Sequence, residues 1–303
     1  MKDAVTIIEV APRDGFQSVV PIIPLEDKLL MIKALAAAGL KHIEVGAFVH
    51  PKAIPQMADI ELLLDHLENS SAAVNPFESI VLVPNERGAI RADQHSCQRL
   101  NFVISVSETH NLKNVRKTVE QSLNELAKVQ VIVSQSSHLS LRVSLATSFD
   151  CPFDGTINDT LCLSLLQKVT ALCPTAQVAL CDTTGKAHPF AVERLLNKVF
   201  AQLDNNVQVI FHCHDTYGLA IANVAAAYRA GVRIFDSAVA GFGGCPFAPG
   251  ASGNVATEDV VYFFESAGIV TNIDSTKLKI AINLAEQIEG AQLGGAIRLI
   301  KPV

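Results

Sequence analysis

The stretch Val207-Gln208-Val209-Ile210-Phe211-His212-Cys213-His214-Asp215-Thr216-Tyr217-Gly218, with Leu219–Ala230, Gly231 and Ile234–Ser237 after it, decides the fold. The β-rich run Val207–Phe211 reads as a buried strand that ends in a polar loop closed by Gly218. Leu219–Ala230 is amphipathic, and Gly231 is placed to take the left-handed conformation that ends a helix. Ile234–Ser237 is then the next strand. Strand, crossover helix and strand make one parallel βαβ unit. Extended backbone alternates its side chains, so His212 and His214 share a face and Cys213 points the other way. Two imidazoles converging at a strand end can share one divalent cation, whereas Cys213 falls on the packing side.

The same alternation runs outward in both directions. Strands are expected at Val5–Val10, His42–Val45, Ser79–Val83, Arg99–Val106, His138–Leu145 and Gln177–Leu180, before the two already named. Between them lie the amphipathic segments Leu25–Ala38, Asp59–Leu67, Val115–Ser134, Ile157–Leu172 and Pro189–Leu203. Eight strands joined by crossover helices fit an α/β fold of the closed (β/α)8, TIM-barrel kind better than an open doubly wound sheet. A further C-terminal helix, Ser275–Ile288, should pack across one face. No Pro/Ser-rich linker interrupts the chain, so residues 1–303 are read as one domain.

Composition narrows the function. The chain has 303 residues, 49% hydrophobic and 18% charged, enough for one large barrel. Its net charge of -6, with basic residues scattered, excludes a surface built for a phosphate backbone. No apolar run approaches a membrane span, and Met1-Lys2-Asp3 leads straight into a strand-like segment without a cleavage site. Seven cysteines without a CxxC pair suit packing roles in a reducing compartment. A cytoplasmic enzyme with neither nucleic-acid nor membrane partners is the expectation.

Active sites of this barrel gather at the C-terminal strand ends, and polar residues recur there. Arg13-Asp14-Gly15 follows the first strand, Glu44 lies in the second, and Ser107-Glu108 follows the fourth. Asp182 follows the sixth strand, and His212 and His214 the seventh. Gly241-Phe242-Gly243-Gly244-Cys245-Pro246, with Asn254 beyond, follows the eighth. Asp14, His212, His214 and Asn254 offer two nitrogens and two oxygens, a donor set that suits Mg²⁺ or Mn²⁺ with positions left for substrate oxygens. Arg13, next to Asp14, can hold a carboxylate or stabilise a developing oxyanion. Glu44 in a buried strand needs a partner, and orienting Arg13 supplies one. The loop 241–254 has the glycine density of a mobile lid, in which Cys245 would donate or accept a proton; it also has the composition of a glycine-rich loop without chemistry.

These residues resemble those of the 3-hydroxy-3-methylglutaryl-CoA lyase family. The likeness is carried by Val10-Ala11-Pro12-Arg13-Asp14-Gly15-Phe16-Gln17, by Phe48–Met57, and by Ser107-Glu108 with Asn111 and Asn114. It continues through Asp182-Thr183-Thr184-Gly185, His212–Gly218 and Gly241–Asp259, in the same order along nearly the whole chain. The resemblance implies a retro-Claisen cleavage of a 3-hydroxyacyl-CoA into a ketone and acetyl-CoA, in leucine degradation and ketone-body formation. It implies that Asp14, His212, His214 and Asn254 hold the cation, with Arg13, Asp14, Glu44, His212 and Cys245 catalytic. The acyl-CoA would lie against Arg13, Gln17, Ala47, Ser144, Ala179 and Asp182, in a homodimer or higher homo-oligomer. The chain departs from the family pattern at Ser18 (often Asn), Ala47 and Ala179 (each usually Ser) and Ser144 (Tyr in well-known members). Reaction type is therefore expected to hold while the acyl group accepted is open, with a related branched or shorter 3-hydroxydicarboxylyl-CoA as the alternative. A condensing acyl-CoA synthase of the same barrel group would usually append a long regulatory region. A metal-dependent amidohydrolase would carry its histidine pair near the first strand, not the seventh.

Overall fold

The computed structural model describes residues 3–70, 77–203, 207–245 and 248–300, without the side chains of 70, 244, 245 and 248–252. Eight strands form the barrel: β1 (Thr6–Glu9), β2 (His42–Ala47), β3 (Glu78–Leu82), β4 (Arg99–Ser105), β5 (Ser140–Ala146), β6 (Gln177–Asp182), β7 (Val209–Cys213) and β8 (Ile234–Ser237). Each pairs in parallel with the next, and β8 closes on β1 through Thr6↔Ile234 to Glu9↔Ser237. The closed TIM barrel that the alternation predicts is the fold.

Register determines which side chains reach the lumen. Val143, Val178 and Val209 lie side by side across β5, β6 and β7, and are buried where the helices pack. Their neighbours Arg142 and Ser144, one residue away, therefore face inward. The β5–β6 crossover helix, Asp159–Leu172, buries Cys162, Leu165, Leu166 and Val169 at the spacing of one helical face. Both faces of the sheet are thus covered, as parallel strands require.

Several boundaries moved, each for a local reason. The helix expected over Val115–Ser134 starts later, as Val119–Gln135, and a separate helix, Glu108–Val115, precedes it. Arg116 turns left-handed at φ 58°, and Thr118 and Gln121 start the second helix with a reciprocal capping box. The seventh strand begins and ends two residues later than its apolar run, so His212 and Cys213 belong to the strand itself. Three helices went unanticipated, Glu86–Asp93, Glu108–Val115 and Thr257–Ser266, as did a small hairpin pairing Asp150–Cys151 with Gly155–Thr156. The helix Ser275–Gln287 packs against Leu25–Ala37 and the turn Val239–Gly241.

Candidate active site

Beyond β1 the chain makes a single π-helical turn, Ala11–Gly15, in which the N–H groups of Arg13, Asp14 and Gly15 all point to the Val10 carbonyl. Such turns re-aim a side chain where a regular helix would not. The carboxylate of Glu9 accepts the Ala11 N–H at 2.9 Å and anchors the turn from below. Arg13 is thereby directed over the barrel mouth. Its Nη2 donates to Glu44 Oε2 at 2.8 Å and its Nη1 to Asp14 Oδ1. Glu44 is fully buried, and its other oxygen accepts Asn101 Nδ2 at 2.7 Å. The pairing of Glu44 with Arg13 expected from the sequence is what the strand geometry produces.

Across the mouth, Asp14, His212 and His214 each bring a ligand atom within 4.8 Å of the others. Asn254 reaches the same point by an unusual route. His214 bridges Asn254, Val255 N–H donates to Cys213 O, and Ala238 bridges Ala256, so the segment 253–256 is inserted between the extensions of β7 and β8. Asn254 Nδ2 then donates to Asp14 Oδ2 at 2.8 Å and to Phe242 O at 3.2 Å. Gly253 and Gly243 are pressed together in this arrangement. A Cβ on Gly253 would lie 2.4 Å from Gly243 O, and Gly243 has φ +114° with Asn254 Nδ2 3.2 Å from its own would-be Cβ. At the base of the loop these glycines serve close packing. The loop itself pairs Gly244–Cys245 with Ala248–Ser252 as an antiparallel ribbon. The Cys245 side chain lies outside the described residues, as does Pro246.

Electrostatics prepare the cluster for a cation. Burial opposes ionisation of Asp14, yet Arg13, His212, His214 and the Asn254 amide together hold its carboxyl well below the usual range. Burial, reinforced by His212, pushes the His214 imidazole down to about 4, leaving it neutral and able to offer a lone pair. Among the described residues, His214 Nδ1, Asn254 Oδ1 and Arg13 Nε are buried without hydrogen-bond partners. Orphaned buried atoms of this kind call for an explanation. A neutral imidazole nitrogen and an amide oxygen beside an ionised carboxylate fit a hard divalent cation. Turning the Asn254 amide over would present its oxygen to Asp14 and the cation.

The remaining expected residues are placed as follows. Gln17 is exposed beside the cluster, its Nε2 3.5 Å from Asp14 Oδ1. Ala47 is buried at the end of β2, past a register shift between Glu44 and Gly46. Ser144 and Ala179 are register partners on β5 and β6, and the Ser144 hydroxyl is engaged by Arg142 Nε and Asn101 Oδ1. Asp182 is paired in register with Cys213, and its Oδ2 accepts the Ala187 N–H at 3.1 Å in its own loop. Burial raises the Asp182 carboxyl to about 7. Ser107 and Glu108 cap helices: the Ser107 hydroxyl accepts the His110 N–H, and Glu108 accepts the Val119 N–H. Cys213 is buried in the apolar core.

Sequence reasoning missed Asn101, Arg142 and Asp236, which surround the cluster. Asp236 accepts from His212 Nδ1 at 3.0 Å and from Arg142 Nη1 at 2.9 Å, and all three side chains are buried. The signal was present: Arg142 between Leu141 and Val143, and Asp236 after Phe235, are charges inside β-rich runs, as Glu44 is.

Comparison with known proteins shows the family to which the chain belongs. The family model described as HMGL-like matches residues 4–284. A hydroxymethylglutaryl-CoA lyase of Bacillus subtilis is 37% identical over 95% of this chain and 94% of its own. An (R)-citramalyl-CoA lyase of Chloroflexus aurantiacus is 34% identical over 99% of this chain and 96% of its own. The crystal structure of the Bacillus subtilis HMG-CoA lyase superposes with a TM-score of 0.91 at 36% identity, covering 98% of this chain and 97% of that one. An HMG-CoA lyase from Acinetobacter baumannii, solved with coenzyme A and 3-methylmalate, superposes with a TM-score of 0.83 at 38% identity, covering 92% and 89%. With barrel, cluster and near full-length likeness in accord, the chain belongs to the HMGL-like family and is an enzyme of the hydroxymethylglutaryl-CoA lyase group.

Proposed function

We propose that this enzyme is a divalent-metal-dependent carbon–carbon lyase that cleaves 3-hydroxy-3-methylglutaryl-CoA to acetyl-CoA and acetoacetate. The observation that carries the proposal is the meeting of Arg13 with Asp14, His212 and His214 at the barrel mouth. His212, His214, Asp14 and Asn254 would hold Mg²⁺ or Mn²⁺, which when bound lowers the pKa of a coordinated hydroxyl. Arg13, held by Glu44 and Asp14, places a permanent cation where the thioester oxygen gains negative charge as the C–C bond breaks. One such donor is typically worth ~3 kcal/mol in the transition state. The alcohol proton would pass to Asp14 or to a water at the mouth, the O–H bonding pair becomes the ketone C=O, the C–C bonding pair passes to the acetyl carbon as an enolate, and that carbon is reprotonated. Cys245, on the ribbon over the mouth, is assigned the proton transfer to carbon. His212 would serve as a ligand and not as the base, since its Nδ1 proton is held by Asp236 and its Nε2 lone pair would be taken by the cation.

A second reading concerns the acyl group. Ala47 and Ala179 carry no polar side-chain atom, and the Ser144 hydroxyl is spent on Arg142 and Asn101. Three positions beside the lumen therefore offer no free donor to a distal carboxylate. The relative named as a citramalyl-CoA lyase and the 3-methylmalate complex favour a shorter branched substrate for such a pocket. Hydrogen bonds to a charged group are worth ~1.5–3 kcal/mol each, so losing several shifts specificity by orders of magnitude. The test is a product assay with Mg²⁺ or Mn²⁺, comparing kcat/KM for the glutaryl, citramalyl and malyl thioesters. Acetyl-CoA release from none of them overturns the lyase reading, and preference for a shorter thioester replaces the first substrate by the second.

A further inference from the structure

One unbroken run of hydrogen bonds crosses the barrel lumen from the histidine side of the site to the arginine side. His212 Nδ1 donates to Asp236 Oδ2 at 3.0 Å, and the same carboxylate takes both terminal nitrogens of Arg142, Nη1 at 2.9 Å and Nη2 more closely. Arg142 Nε donates to Ser144 Oγ at 3.2 Å, and the Ser144 hydroxyl donates onward to Asn101 Oδ1 at 2.8 Å. Asn101 Nδ2 donates to Glu44 Oε1 at 2.7 Å, and Glu44 Oε2 accepts Arg13 Nη2 at 2.8 Å. Asp236, Arg142, Ser144, Asn101 and Glu44 are all buried. Every group donates or accepts in the sense its chemistry allows. A carboxylate only accepts, so His212 carries its proton on Nδ1 and keeps the Nε2 lone pair for the cluster.

A buried ion pair such as Arg142–Asp236 is a weak source of stability, because desolvation offsets most of its attraction and an apolar pair of similar size does as well. Its contacts point to another use. We propose that Arg142 and Asp236 are positioning residues: Asp236 fixes the tautomer and tilt of His212, Arg142 fixes Asp236, and Ser144, Asn101 and Glu44 carry the same constraint to Arg13. The half of the site that holds a cation and the half that holds an oxyanion are thereby kept in mutual register. Ser144 is the joint of this run and not a substrate donor. The inference rests on the metal-lyase reading above.

The test uses Mn²⁺ as probe, with bound and free ion counted by electron paramagnetic resonance, alongside thermal melting and steady-state kinetics. The double variant Arg142→Met/Asp236→Leu removes the pair without stranding a charge. It is expected to fold and melt near the wild type, yet to bind Mn²⁺ ~10–100-fold more weakly, as loss of an outer partner to a ligand histidine does. Should it fail to fold, Asp236→Asn reads the same quantity with the shape retained. Ser144→Ala is expected to keep Mn²⁺ affinity while lowering kcat about tenfold at unchanged KM, and Ser144→Thr to restore it. A folded variant of the Arg142–Asp236 pair with wild-type Mn²⁺ affinity, or Ser144→Ala with wild-type kcat, overturns the inference and leaves the lyase standing. A wild-type protein that takes up no Mn²⁺ overturns the metal reading and this inference with it.

Discussion

Glu9 and Glu44 sit on adjacent strands, both with no exposed surface, and they do opposite things. Glu9 is in register with Ile43, so Glu44, one residue on, faces the other way. Glu44 enters the lumen and meets a guanidinium and an amide. Glu9 turns outward beneath the loops, where it accepts the N–H groups of Ala11 and Val239 and the hydroxyl of Thr257. No cation among the described residues balances it, and burial raises its carboxyl to about 7. Burial of a carboxylate in a barrel strand is therefore no mark of chemistry by itself. The partner decides: a charge that must be aimed makes Glu44 part of the site, while backbone donors make Glu9 a tie between the first and eighth loops.

The sharpest way to break this contrast is to remove the group that Glu44 aims. Arg13→Gln should lower kcat by ~10²–10³-fold, the range for losing one oxyanion donor. Steady-state turnover of the 3-hydroxyacyl thioester measures it, and a loss confined to KM would return Arg13 to simple binding. Glu44→Gln is milder, because the amide keeps an oxygen for Arg13 while losing the charge and the acceptor that Asn101 Nδ2 uses. A fall of roughly tenfold in kcat, about 1.4 kcal/mol, is expected with KM little changed. On the other side of the comparison, Thr257→Val deletes the hydroxyl that Glu9 Oε2 accepts at 2.7 Å. Urea unfolding should show a loss of about 1–3 kcal/mol while kcat per folded molecule stays within about twofold. A large kcat loss there would erase the distinction between the two glutamates.

The contrast also explains what could be read from the chain. All eight strands were legible because each is a β-rich run set off by turn or helix residues, and closure followed from their number. Glu44 was found because a carboxylate in a buried run needs a partner. Arg142 and Asp236 carry that signal too, but they are 94 residues apart, and only the closed barrel brings β5 and β8 to face each other across the lumen. Asn254 was found as a ligand candidate without a reason for its position, since the segment that delivers it is an insertion between β7 and β8 with no period of its own. Ser144 was legible as a small residue in a pocket. That its hydroxyl already has two partners depends on Asn101 and Arg142 lying on the same inner face, which is a matter of register. The glycines of the loop 241–254 suggested a lid, whereas Gly243 and Gly253 meet backbone to backbone.

The gentlest change, Glu9→Gln, gives the cleanest reading of the outer glutamate. Its carboxyl titrates at about 7 when folded and near the ordinary 4.5 when unfolded. Between those values the folded state binds the proton and the unfolded state does not. Stability from this group is therefore fully present below about pH 4.5 and is lost as pH rises through 7. Glutamine imitates the protonated form. Its oxygen can keep the Ala11 and Val239 N–H groups, and its amide nitrogen can donate to Thr257, whose own hydroxyl then turns to Ser237 Oγ, 2.7 Å away. The variant should match the wild type at pH 5 and exceed it at pH 8, so that its urea midpoint changes less between the two. Activity per folded molecule should remain within about twofold, because nothing in the Arg13–Glu44 side depends on Glu9 beyond the placement of the turn. An unaltered pH slope in the variant would mean that Glu9 is ionised throughout, and that its backbone donors alone outweigh the cost of burying its charge.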